Sequence, residues 1–141
     1  MSKAALHIKS LNVEYILKKG SHPAVKNISF QVEQGEIFGL VGESGSGKST
    51  VVQALIRTLP PPAVITGGKV IINKIDVLSL SAIEVKKYRW KQISIVMQSA
   101  LNALNPVMTV EDQIKDVLEM HKNIIGIKAD EKVEQLLRLV D

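Results

Sequence analysis

Near the start of the chain, Leu6, Ile8, Leu11, Val13 and Tyr15 alternate with polar residues, and the phase slips once, at Ser10. Alternation with a period of two marks a half-buried strand, and the slip predicts an irregularity in it. Lys18 to Pro23 reads as a loop. Val25, Ile28, Phe30 and Val32 predict a second half-buried strand, closed by the turn residues Glu33-Gln34-Gly35. Two neighbouring strands joined by a short loop most simply pair antiparallel.

The pattern then changes. Ile37-Phe38-Gly39-Leu40-Val41 is a continuous apolar run, as expected of a strand covered on both faces in a parallel sheet. A glycine-rich loop follows, then a helix predicted over Thr50 to Leu59 and stopped by Pro60-Pro61-Pro62. Gly67-Gly68 opens a predicted strand at Lys69 to Asn73. Ser81 and Glu84 have the spacing of a capping box, which predicts a short helix to about Tyr88. Ile93 to Met97 is a second candidate core strand. Thr109 and Asp112 start a helix to about Lys122, and Val133, Leu136, Leu137 and Val140 recur at helical spacing. No internal repeat or low-complexity tract interrupts this order.

Composition narrows the field only a little. Hydrophobic residues make up 45% and charged residues 23% of the 141, a globular balance. The net charge of +4 suits an anionic ligand, but the lysines and arginines are scattered and form no nucleic-acid tract. With no cysteine, disulfides, thiolate metal sites and thiol catalysis are excluded. His7, His22 and His121 lie far apart in sequence and carry no assigned chemistry. No signal-type N-terminus occurs, nor any apolar run near the roughly 20 residues of a membrane span, so a soluble, cytoplasmic chain is expected.

The segment Gly42-Glu43-Ser44-Gly45-Ser46-Gly47-Lys48-Ser49 meets every constrained position of G-x-x-x-x-G-K-[ST]. Glycines at these positions let successive backbone N–H groups turn inward around an anion, and the following helix adds unpaired donors at its N-terminus. Lys48 supplies a mobile positive charge for β- and γ-phosphates. The Ser49 hydroxyl is suited to Mg²⁺, which otherwise keeps water and phosphate ligands, and Thr50 is placed to help hold the α-phosphate. A plain Gly/Ser turn followed by a chance Lys-Ser is expected in roughly one chain of this length in two hundred.

The stretch VKNISFQVEQGEIFGLVGESGSGKST closely resembles the nucleotide-binding domain of ABC transporters. GESGSGKS, and the later IVMQSALNALNPVMTV, resemble the dipeptide, oligopeptide and nickel importer branch. The resemblance covers essentially the whole chain. It implies an α/β fold of the P-loop NTPase, ABC ATPase type. An antiparallel β region would occupy 1–35, a P-loop core 36–98, and the Q-loop with the start of a helical subdomain 99–141, the domain being truncated. It further implies that Tyr15 stacks on adenine and that Val25 lies beside the base. Gln98 becomes the Q-loop glutamine, which ligates Mg²⁺ or orients the attacking water. Ser99 and Ala100 depart from the acidic residue and proline common after that glutamine.

The same resemblance implies the cofactors ATP and Mg²⁺ and a peripheral place on the inner face of a cell membrane. The implied partners are transmembrane permease subunits met through the Q-loop, a second ATP-binding subunit and, indirectly, a substrate-binding protein. Nucleic acid is not among them. An LSGGQ-type signature, a Walker B strand ending in Asp-Glu, a D-loop and a switch histidine are not found in the sequence. The expected activity is therefore ATP binding with negligible turnover. The alternatives are a soluble P-loop NTPase or kinase, and a nucleotide-dependent interaction module without catalysis.

Overall fold

The computed structural model describes residues 4–89, 91–96 and 104–140. The chain divides into two compact units, Met1–Gln92 and Ile93–Asp141. In the first, β1 (Ala4–Leu17) and β2 (Gly20–Glu33) form a long hairpin, followed by α1 (Lys48–Leu55), β3 (Ala63–Ile72) and the short β4 (Ile75–Asp76). A 3-10 turn at Val77–Ser79 leads to α2 (Ala82–Tyr88). The sheet has the order β2-β1-β3-β4, with every described pairing antiparallel.

The predicted irregularity in β1 is present. Register shifts fall between Ile8 and Leu11, and Ser10 takes φ 47°. An extra residue there reverses the alternation, so Ile8, Leu11 and Val13 are all fully buried despite their uneven spacing. The same distortion draws β3 close. A Cβ on Gly68, at φ +98°, would stand 2.5 Å from the Ser10 carbonyl oxygen and 2.6 Å from the Leu11 Cα. Only glycine fits that approach.

Several boundaries differ from expectation. The hairpin turn is confined to Lys18-Lys19, and β2 already begins at Gly20, so most of the predicted loop is paired strand. β3 begins at Ala63, which puts Gly67-Gly68 inside the strand rather than at its opening. α1 begins earlier and ends earlier than predicted, with Arg57 at φ 54° once the helix is over.

The larger correction concerns the two core strands. Residues 37–41 form no strand, with Ile37 100% and Val41 90% exposed. Ile93 to Val96 form no extended strand either, and Met97 lies outside the described residues. A strand is held by the hydrogen bonds of a neighbour, and no described segment pairs along 37–41. Phe38 stacks on Phe30, with ring centroids 4.8 Å apart.

α2 starts as its sequence predicts. Ser81 accepts from the Glu84 N–H while the Glu84 carboxylate accepts from the Ser81 N–H at 2.7 Å, a complete capping box. The buried Tyr88 hydroxyl donates to the Ile72 carbonyl at 2.9 Å, tying α2 to β3.

In the second unit, α3 (Val110–Lys122) is capped by Thr109, which accepts from the Asp112 N–H at 3.0 Å. Asn123, left-handed at φ 53°, ends it, and α4 (Ile127–Arg138) returns. Leu118, Ala129 and Val133 form the small core between these helices, with Ile114 and Ile124 against it.

Candidate functional site

The glycine-rich segment 42–47 runs into the N-terminus of α1. Gly45 at φ 80° and Gly47 at φ 88° take the left-handed conformation that side chains disfavour. Gly47 is also held tightly against β2, since a Cβ there would stand 2.6 Å from the Ala24 carbonyl oxygen. Gly47 is the N-cap of α1, and the first helical bond is Val51 N–H to the Gly47 carbonyl at 2.9 Å. The N–H groups of Lys48, Ser49 and Thr50 precede that bond and have no partner within the helix.

The Lys48 ammonium folds back over the loop. It donates to the Gly42 carbonyl at 2.8 Å, to the Glu43 carbonyl, and to the Ser46 hydroxyl at 3.3 Å. The ammonium thus braces the loop from within, and these bonds are replaceable by an incoming anion.

Loop and hairpin share one cleft of about 300 Å³. Gly45 to Thr50 line one side, and Tyr15 with residues 22–24 line the other. Of the residues named from the sequence, Tyr15, Gly45, Ser46, Gly47, Lys48, Ser49 and Thr50 meet here. Gly42, Glu43 and Ser44 form the approach to the loop and do not line the cleft. Val25, buried, lies against Gly47, its Cγ2 3.6 Å from where a Cβ would stand. Gln98 lies outside the described residues.

Among the described residues no carboxylate lines the cleft, so none of them opposes the Lys48 charge and the helix dipole there. Among the described residues no cluster of three His, Asp or Glu could hold a metal. One donor available for a cation is the exposed Ser49 hydroxyl, which suits Mg²⁺ arriving with phosphate oxygens and water.

Sequence reading missed His22. It pairs with Tyr15 across the hairpin and lines the same cleft. The available signal was hairpin arithmetic: a two-residue turn at Lys18-Lys19 sets Leu17 against Gly20 and so Tyr15 against His22.

Comparison with known proteins places the chain in a family. Residues 25–141 match the family model described as ABC transporter. The dipeptide transport ATP-binding protein DppD of Caldanaerobacter subterraneus is 35% identical over 140 residues, which is 96% of this chain and 42% of that protein. The oligopeptide transport ATP-binding protein OppD of Escherichia coli is 38% identical over 137 residues, 97% of this chain and 40% of that one. In fold, the chain is similar to the dimeric bacterial ABC transporter cassette MJ0796, with a TM-score of 0.73 at 23% identity over 94% of this chain and 54% of that one. The same cassette, in a post-hydrolysis state bound to ADP and Pi, gives a TM-score of 0.71.

The chain belongs to the ABC transporter family. It spans about two fifths of the length of the curated relatives it matches. Among the described residues, no helix is long and apolar enough to cross a membrane.

Proposed function

We propose that this chain carries the ATP-binding half of the active site of a peptide-importer ATPase. One observation carries the reading: Tyr15 and the donor-rich start of α1 open onto a single cleft that, among the described residues, no carboxylate lines. The names of the most similar relatives point to dipeptides or oligopeptides as the transported class.

In this reading the adenine stacks on Tyr15 beside Val25, and the triphosphate extends toward the loop. The Gly45 to Thr50 backbone cradles the phosphates, with Thr50 contributing its N–H because its side chain is buried. Lys48 exchanges its carbonyl partners for β- and γ-phosphate oxygens. Ser49 holds Mg²⁺, which when bound neutralises phosphate charge. Gln98 senses the γ-phosphate and passes nucleotide state to a permease subunit. A second ATP-binding subunit closes the site, a substrate-binding protein delivers the cargo, and the assembly sits on the inner face of the membrane.

Hydrolysis requires water to attack the γ-phosphorus, the bond to the ADP oxygen to break, and a base to take the water's proton. Among the described residues, the loop end of the cleft offers no carboxylate for that last step. These 141 residues are therefore expected to bind Mg-ATP weakly without turning it over.

Calorimetric titration tests the reading. Mg-ATP should bind in preference to GTP, and Lys48→Ala should weaken binding at least about tenfold, as removal of a charge-assisted phosphate contact does. Equal binding by the mutant overturns the phosphate assignment. Steady turnover abolished by the same mutation overturns the expected inactivity.

A further inference from the structure

The hairpin carries an extra residue on β2 beside the loop. Val13 faces Val25 and Glu14 faces Pro23, so Ala24 has no partner of its own on β1. Three positions separate Val25 from His22, and on an unbroken strand the two would point to opposite faces. The bulge reverses the alternation. His22, paired with Tyr15, thus comes to the face on which Val13 and Val25 are buried.

There it lines the cleft together with Tyr15, Gly47 and Lys48. The position along the strand indicates which end of a ligand it meets. The Ala24 carbonyl abuts Gly47 at the loop, and His22 lies two residues further out, about 7 Å along the strand. It therefore sits beside Tyr15, beyond the phosphate donors. Cβ atoms of directly paired residues lie about 5 Å apart, so the imidazole and phenol rings can form one continuous surface.

We propose that His22 is a second base-contacting residue, forming with Tyr15 the ring wall against which the nucleotide base lies. This rests on the reading of the cleft as an ATP site. The bulge at Ala24 then has two effects: it turns a carbonyl toward the loop and swings His22 into the cleft.

Binding of ATP and of inorganic tripolyphosphate, which has no base, is compared in the 141-residue chain carrying His22→Ala, His22→Phe or Lys48→Ala. His22→Ala should weaken ATP about five- to tenfold, the lower range for loss of a ring that stacks on a base. It should leave tripolyphosphate unchanged, and His22→Phe should restore ATP affinity. Lys48→Ala should weaken both ligands.

ATP binding that depends on Lys48 but is indifferent to His22→Ala overturns this proposal alone. Equal loss for both ligands, or no rescue by phenylalanine, also overturns it, because the contact would then be to phosphate or through charge. Absence of any Lys48-dependent ATP binding overturns the ATP-site reading and this proposal with it.

Discussion

At the scale of single residues, the loop depends on backbone conformations that few side chains can reach. Gly47 combines φ 88° with a carbonyl 2.6 Å from where its Cβ would be. Gly47→Ala therefore meets both a left-handed penalty of about 1–2 kcal/mol and a backbone clash that β2 must relieve by moving. Urea unfolding should show a loss of at least that size, and nucleotide affinity should fall with it. An unchanged midpoint would mean that the loop relaxes away from β2 at no cost. The motif spacing showed that a glycine belongs here, but not that Ala24 presses on it. That pressure comes from a bulge, and a bulge is set by pairing partners rather than by the strand's own pattern.

At the scale of elements, short helices are held by their ends. Arg89, just past α2, donates from Nε to the Ile56 carbonyl at 2.8 Å and from Nη2 to the Arg57 carbonyl at 2.6 Å. It thereby satisfies the last turn of α1 and places a cation at the negative end of that helix. Arg57 in turn donates to the carbonyls of Val77, at 3.4 Å, and Leu80. Arg89→Ala should cost about 2 kcal/mol in urea unfolding, the scale of hydrogen bonds from a charged donor to partly buried acceptors. Arg89→Lys should recover only part of it, because an ammonium cannot reproduce the planar fork.

The other end of α2 responds to acid. The hydrogen bonds of Ser81, side chain first and backbone second, hold the Glu84 carboxyl below its usual range, with help from Lys87. A depressed folded pKa contributes stability that is present above the unfolded value and is lost as pH falls through the folded one. The melting temperature of wild type relative to Glu84→Gln should thus shrink on acidification below about pH 4.5, the ordinary range for such a carboxyl. A difference that stays constant with pH would show that the charge adds nothing to the cap. This element was fully legible in sequence, since Ser81 and Glu84 bind each other across three positions and need nothing distant. The start of α3 at Thr109 was legible for the same reason. In the helix pair, Lys115 bridges Asp130 and Glu111, each at 2.5 Å, and Asp130 raises its pKa most. That link between α3 and α4 could not be read from either helix alone.

At the scale of the whole chain, local and non-local information separate cleanly. The antiparallel hairpin follows from alternation and a short turn, both local. The run at Ile37 to Val41 signals burial, but an apolar run specifies only that a partner is needed, and no described segment supplies one. Ile37, Val41 and Val96 consequently face solvent, at 100%, 90% and 93% exposure. Exposed apolar segments with unpaired backbone invite pairing with another copy. The isolated chain is therefore expected to self-associate, with an apparent mass in light scattering that rises with concentration. Replacing Ile37 and Val41 together by lysine should move the equilibrium toward monomer while leaving the helical circular dichroism unchanged, because neither residue packs in the core. A wild-type mass independent of concentration would contradict the expectation. Association that persists in the double variant would assign it to another surface.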